Sequence, residues 1–169
     1  MKKTLLITLL LIVGYSKEPI NGNELVEKDG VMYTKDTNIP YSGDVFGLYK
    51  NGQKEYEGTL KDGELDGKVT EWYENGQKQY EETWKNGKED GKWTDWYENG
   101  QKEYEGTYKD GKLDGIWVKW YKNGQKKYEG TYKDGESIEA RQWFEDGILW
   151  YEQYQTDDVQ TGKREFLIK

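Results

Sequence analysis

The sequence predicts an all-β protein, an elongated single-layer antiparallel sheet built from tandem 24-residue β-hairpins. Three observations predict it. The stretch Asn99 to Lys122, NGQKEYEGTYKDGKLDGIWVKWYK, recurs without gaps, so that Tyr56, Tyr80, Tyr104 and Tyr128 align, as do Leu60, Trp84, Tyr108 and Tyr132. Within each copy polar and apolar residues alternate with the period of a strand. Tyr104, Gly106 and Tyr108 fall on one face; Glu103, Glu105 and Thr107 fall on the other. Finally, turn residues separate the strands. In KDGKLDG, Gly111 and Gly115 can take positive φ, while Asp110 and Asp114 can bond back to their own backbone; Asn123-Gly124 marks the next reversal.

The chain has 169 residues, enough for one domain. Hydrophobic residues make up 33% and charged residues 34%, a balance that alone would indicate disorder. The 15% of aromatics recur at fixed spacing, which argues for a folded repeat instead. There is no Cys and no His, which removes thiol chemistry, disulfides, His-based acid–base catalysis and the commonest zinc sites. Lys2 and Lys3 carry the only charges of the first sixteen residues, so the net charge of −8 becomes −10 for a chain starting at Lys17. So acidic a surface disfavours nucleic acid and anionic membranes as partners.

Residues 1–16, MKKTLLITLLLIVGYS, join two lysines to an apolar run too short to span a bilayer and end on small residues, the pattern of an export signal. The stretch LIVGYSKEP also resembles a bacterial lipoprotein signal, with Tyr15 where the lipidated Cys would stand. Residues 17–28 read as a linker or cap. An imperfect first unit opens near residue 29 and comes into register at Gly43 and Tyr49; its degraded first strand suits a terminal unit with no neighbour to pair with. Units then open near 51, 75, 99 and 123. Unit two carries Glu82 where the others have Gly58, Gly106 and Gly130, and Asn86 for the usual Asp, changes that one hairpin should tolerate. The fourth unit loses one residue and its second turn glycine, and a half-unit near 147 closes the repeats, which cover residues 29–154. Residues 155–169 are expected to form a C-terminal cap or tail.

The pattern Tyr104-Glu105-Gly106, Gly111, Gly115 and a following aromatic resembles the membrane occupation and recognition nexus (MORN) repeat. YENGQKxYEGTYKDGKxDGxW is closer to its bacterial variant, found in exported proteins described as YwqK-family antitoxins. Gly115-Ile116-Trp117 replaces the usual Gly-x-Gly and favours that variant. The resemblance implies an elongated sheet of stacked hairpins used for contacts, and no enzymatic activity; the antitoxin name carries no mechanism here.

The candidate partner-binding residues are Trp72, Trp96, Trp120 and Trp143, which alternation places on the face otherwise lined by Thr, Lys and Glu. Equivalent Trp residues two strands apart would recur every ~10 Å in a flat sheet, an aromatic ladder able to grip a partner. The competing reading is that sheet twist buries these indoles against neighbouring Lys and Thr stems. Asp62-Gly63 and Asp66-Gly67 match no calcium loop and are explained as turns. Glu57, Glu81, Glu105 and Glu129 repeat beside lysines and read as a solvated charge ladder rather than a catalytic pair. No cofactor, metal or catalytic residue is expected. The function expected is an exported protein-interaction scaffold, periplasmic, envelope-associated or secreted, with an unidentified protein partner. The alternative is a glycan or cell-wall binding module, and pairing of two copies through the aromatics stays open.

Overall fold

The computed structural model describes residues 18–155 and 161–165. The proposed signal at 1–16, with Tyr15, lies outside the described residues. In chain order the strands are β1 (Ile20–Asn21), β2 (Leu25–Lys28), β3 (Val31–Thr34), β4 (Gly43–Leu48), β5 (Lys54–Lys61), β6 (Glu64–Leu65), β7 (Gly67–Trp72), β8 (Lys78–Lys85), β9 (Lys88–Trp96) and β10 (Lys102–Lys109). They continue as β11 (Lys112–Leu113), β12 (Gly115–Trp120), β13 (Lys126–Lys133), β14 (Glu136–Trp143), β15 (Leu149–Gln155) and β16 (Thr161–Glu165). A single sheet runs β1-β4-β5-β7-β8-β9-β10-β12-β13-β14-β15-β16, with β6 and β11 as short arms on β5 and β10. Apart from the two-residue parallel contact of β1 with β4, its pairs are antiparallel. The expected architecture is therefore present: neighbours in sequence are neighbours in space.

The two kinds of turn differ from each other. Asp110 (φ 50°) and Gly111 (φ 77°) form a two-residue loop, since Lys109 pairs with Lys112. Positive φ at both positions defines a type I′ turn, whose twist matches that of the flanking strands. Asp62-Gly63, Asn86-Gly87 and Asp134-Gly135 repeat it, with Asn86 serving as well as Asp. The Asn-Gly reversals are longer. Tyr121 N–H donates to Gln125 and Gly124 N–H donates to Tyr121, leaving three residues in the loop, while the Asn123 side chain accepts from Gln125 N–H. Only the glycine has positive φ there, and each such loop shifts the register by a residue, as between Lys119 and Trp120.

The second aspartate of each turn was expected to bond to its own backbone. It reaches the next unit instead: Asp66 accepts from Asn86 N–H at 3.1 Å and Asp90 from Asp110 N–H at 3.3 Å. Backbone bonds run the same way, from Gly87 to Leu65, Gly111 to Glu89 and Gly135 to Leu113. The turn side of the sheet is thus sewn unit to unit. On the other side Tyr49, Tyr73, Tyr97 and Tyr121 each donate their hydroxyl to the carbonyl of Trp72, Trp96, Trp120 and Trp143, at 2.6 to 2.9 Å.

The ends depart from the repeat. At the N-terminal end β2 and β3 pair around Asp29-Gly30 as a separate two-stranded sheet. It hooks onto the first full turn through Met32 N–H to Gly63 and Gly63 N–H to Tyr41. Leu25, Tyr41, Val45 and Leu60 bury one another there, flanked by Ile20, Met32 and Leu65. At the other end the polar Thr161–Glu165 extends the sheet as β16, paired along β15.

Away from that cluster, the apolar face is covered by its own rings. Tyr80 stacks on Trp93 (centroids 6.2 Å), Trp93 meets Tyr108 (5.4 Å), and Trp117 meets both Tyr108 (5.7 Å) and Tyr104 (6.0 Å). Glycine makes room for this. Gly106 faces Trp93 in register, and a Cβ on it would lie 1.9 Å from Cε3 of Trp117. Gly106→Ala is expected to lower the free energy of urea unfolding by about 1 to 3 kcal/mol, the usual cost of overpacking, while Thr107→Ala on the solvated face changes it by less than about 0.5. Equal midpoints for the two variants would contradict this packing.

Candidate functional site

The polar face carries one constellation four times. Trp72, Trp96, Trp120 and Trp143 end β7, β9, β12 and β14, and all four are half-buried. Over each indole lies a lysine ammonium from the strand before: Lys54, Lys78, Lys102 and Lys126, with Nζ 5.4 to 6.0 Å from the ring centroid. Each lysine in turn bridges to a glutamate three residues on, Glu57, Glu81, Glu105 and Glu129. The four Trp residues predicted as a ladder are thus brought onto one face, and the four glutamates predicted as a charge ladder stand beside them. Lys68 and Lys92 add a second bridge to Glu81 and Glu105 at 2.8 and 3.0 Å. The Lys102 hydrogen bond, helped by Lys92 against a burial penalty, holds the Glu105 carboxyl below its usual range.

Exposed ion pairs of this kind contribute little, and a cation over an indole contributes about 0.5 to 1 kcal/mol. The arrangement therefore orders the surface more than it stabilises it. Its free elements are the indole edges and a regular array of both charges. Unit three interrupts the polarity, with Ile116 and Val118 where units one and two have Lys68 and Thr70, then Lys92 and Thr94; Ile116 is 61% exposed.

The opposite face holds a residue noted in the sequence only as a tolerable exception to the repeat. Glu82 sits between Val69 and Trp93 in register, at the position glycine fills in the other units, and is only 5% exposed. Its Oε2 and the Trp84 Nε1 are both buried without a hydrogen-bond partner. Burial pushes the Glu82 carboxyl up to about 7; the Trp84 indole N–H, close to the carboxyl though short of hydrogen-bond geometry, opposes the shift, while the nearby carboxylates of Glu71, Glu89 and Asp95 add to it. Asp95 is also raised by burial, although Trp93 Nε1 donates to it at 2.7 Å. Tyr80 is raised by burial and by its bond to Glu71. The signal was legible as a lone carboxylate at a glycine position on the aromatic face.

A cleft of about 500 Å³ runs from beneath the β2–β3 hairpin to these groups. Leu60, Leu65 and Val69 line its floor and Met32 its roof, and Tyr80, Glu82 and Trp84 stand at the far end.

Residues 65–86, 89–110 and 113–134 match the MORN repeat variant. The matched segments open 24 residues apart, and each spans the return strand of one hairpin and the first strand of the next, with the Asn-Gly loop between. The three matched segments, each similar to the MORN repeat variant, thus lie in tandem in the middle of the sheet, a likeness that suggests a repeat-based binding scaffold. No curated protein matches the chain.

The buried carboxyl makes a pH prediction. A carboxyl whose pKa is higher folded than unfolded stabilises the fold while protonated. That contribution is complete below about 4.5 and is lost as pH rises through about 7. Relative to Glu82→Gln, the unchanged protein should lose about 3 kcal/mol of urea stability between pH 4.5 and pH 8.5. Parallel stability profiles for the two proteins would contradict the assignment.

Proposed function

We propose that the protein is an exported, non-enzymatic scaffold that holds another protein along the polar face of its sheet, with Trp72, Trp96, Trp120 and Trp143 as the gripping residues. The observation that carries this reading is the fourfold Trp–Lys–Glu row on one face of one sheet. Such a row offers an extended partner the same contact at each unit, so that contacts too weak singly act together. Export is read from residues 1–16, and is the ground for assigning the protein to the periplasm, the cell envelope or the outside of the cell.

A glycan module would use the same indoles as stacking platforms. Against it stands the lysine over each ring, which a sugar would have to displace. An anionic membrane is disfavoured by the net charge of −8.

Affinity capture from an envelope extract tests this, using the unchanged chain, a variant with the four Trp changed to Ser, and a second with Lys54, Lys78, Lys102 and Lys126 changed to Gln. The expected result is a protein bound by the unchanged chain and recovered at least about tenfold less by both variants, each of which retains its strand signal in circular dichroism. Equal recovery by all three, or capture of cell-wall glycan alone, would overturn the reading.

A further inference from the structure

Rings cover the aromatic face of the sheet from Tyr80 to Trp117, and a cleft opens beside them. Between the β2–β3 hairpin and β8 lies the cleft of about 500 Å³, within the range of small-ligand sites. Its stem is apolar and its end is not. Every charged residue lining it, Glu27, Glu57, Glu64, Glu71 and Glu82, is acidic, and no lysine or arginine lines it among the described residues. Glu57 spends its charge on Lys54 at the other face. Glu82 is the one buried deepest; the Trp84 indole N–H approaches its carboxyl without reaching hydrogen-bond geometry, which leaves Oε2 without a full donor.

Leaving a buried carboxylate oxygen unpaired costs free energy unless a donor reaches it. Nothing in the repeat requires the group, since Gly58, Gly106 and Gly130 fill the same position. A metal ion does not fit, because no group of three or more carboxylates among the described residues is placed to hold one. What fits is a donor with a positive charge, an apolar stem long enough to lie on Leu60, Leu65 and Val69, and a head that can rest against aromatic rings.

We propose that this cleft binds an alkylammonium group, the stem beneath the β2–β3 hairpin and the ammonium between Glu82, Glu71 and the rings of Tyr80 and Trp84. The same chemistry is carried by a free alkylamine and by a lysine side chain of another protein. This site lies on the face opposite the Trp ladder and does not rest on the function proposed above.

The test is calorimetric titration of the full chain at pH 8 with n-hexylammonium, with n-hexanol as its uncharged counterpart, and with N-acetyl-lysine N-methylamide. The expected result is saturable one-to-one binding of at least one of the two amines. Hexanol should bind at least about tenfold more weakly than hexylammonium, and Glu82→Gln and Glu82→Gly should each weaken the bound amine at least about tenfold. The glycine variant restores the residue of the other units and so guards against a folding defect. Binding of the lysine derivative would assign the group to a protein partner, and binding of hexylammonium alone to a free amine; both support the site. Equal affinity for hexanol, affinity unchanged in both Glu82 variants, or no saturable binding of either amine at millimolar concentration would overturn it.

Discussion

A sheet one layer thick has no second layer to pack against, and most of this structure follows from that constraint. Each face must be covered by side chains from the sheet itself, so every unit supplies its own aromatics. On one face the rings lie down across the strands, and Gly106 shows what that requires: Trp117 occupies the space in which a Cβ would stand. On the other face the indoles are only half-buried, and lysine stems and ammonium groups cover them. The cover is the same from unit to unit because the strands advance by a constant 24 residues, and the register is held at both ends of the strands. Turns are sewn to turns by aspartates and glycine N–H groups, and tyrosine hydroxyls tie each loop side to the next unit.

Where the repeat is broken, the face opens. Near the N-terminal end the separate β2–β3 hairpin cannot continue the ladder and folds over the first units instead, building a small aliphatic core around Leu25, Tyr41, Val45 and Leu60. One unit later Glu82 replaces the glycine that would let a ring settle. The roof and the carboxylate bound one cleft, apolar where the hairpin covers it and acidic where the aromatic row resumes. The two faces thus differ. One repeats the same Trp–Lys–Glu arrangement from unit to unit, and the other holds a half-open cleft near one end.

Much of this was legible in the residues. The spacing of Tyr56, Tyr80, Tyr104 and Tyr128 states the period, and alternation around Gly106 states which side chains share a face. Trp72, Trp96, Trp120 and Trp143 were placed on the correct face by counting alone. What could not be counted was anything decided between units. Asp-Gly and Asn-Gly look alike as turn signals, yet the loop length depends on which pair closes the ladder, and Asp110 adopts the positive φ that was assigned to glycine alone. The bond from Asp66 to Asn86 N–H spans units and has no local signature. The strand at Thr161–Glu165 is as polar as a tail and is recruited by the open edge of β15. Glu82 was visible as an exception, but its burial follows from Val69 and Trp93 on the strands to either side.

Away from the Leu25–Leu60 cluster, each unit is held by its neighbours and by its own cover, with no core beneath. Amide hydrogen exchange followed residue by residue tests it most directly. The account predicts protection highest in the middle strands, β8 through β12, falling stepwise toward β15 and β16, where fewer neighbours remain, with a second protected region at the Leu25–Leu60 core. Uniform protection from end to end, lost in a single global step, would contradict it.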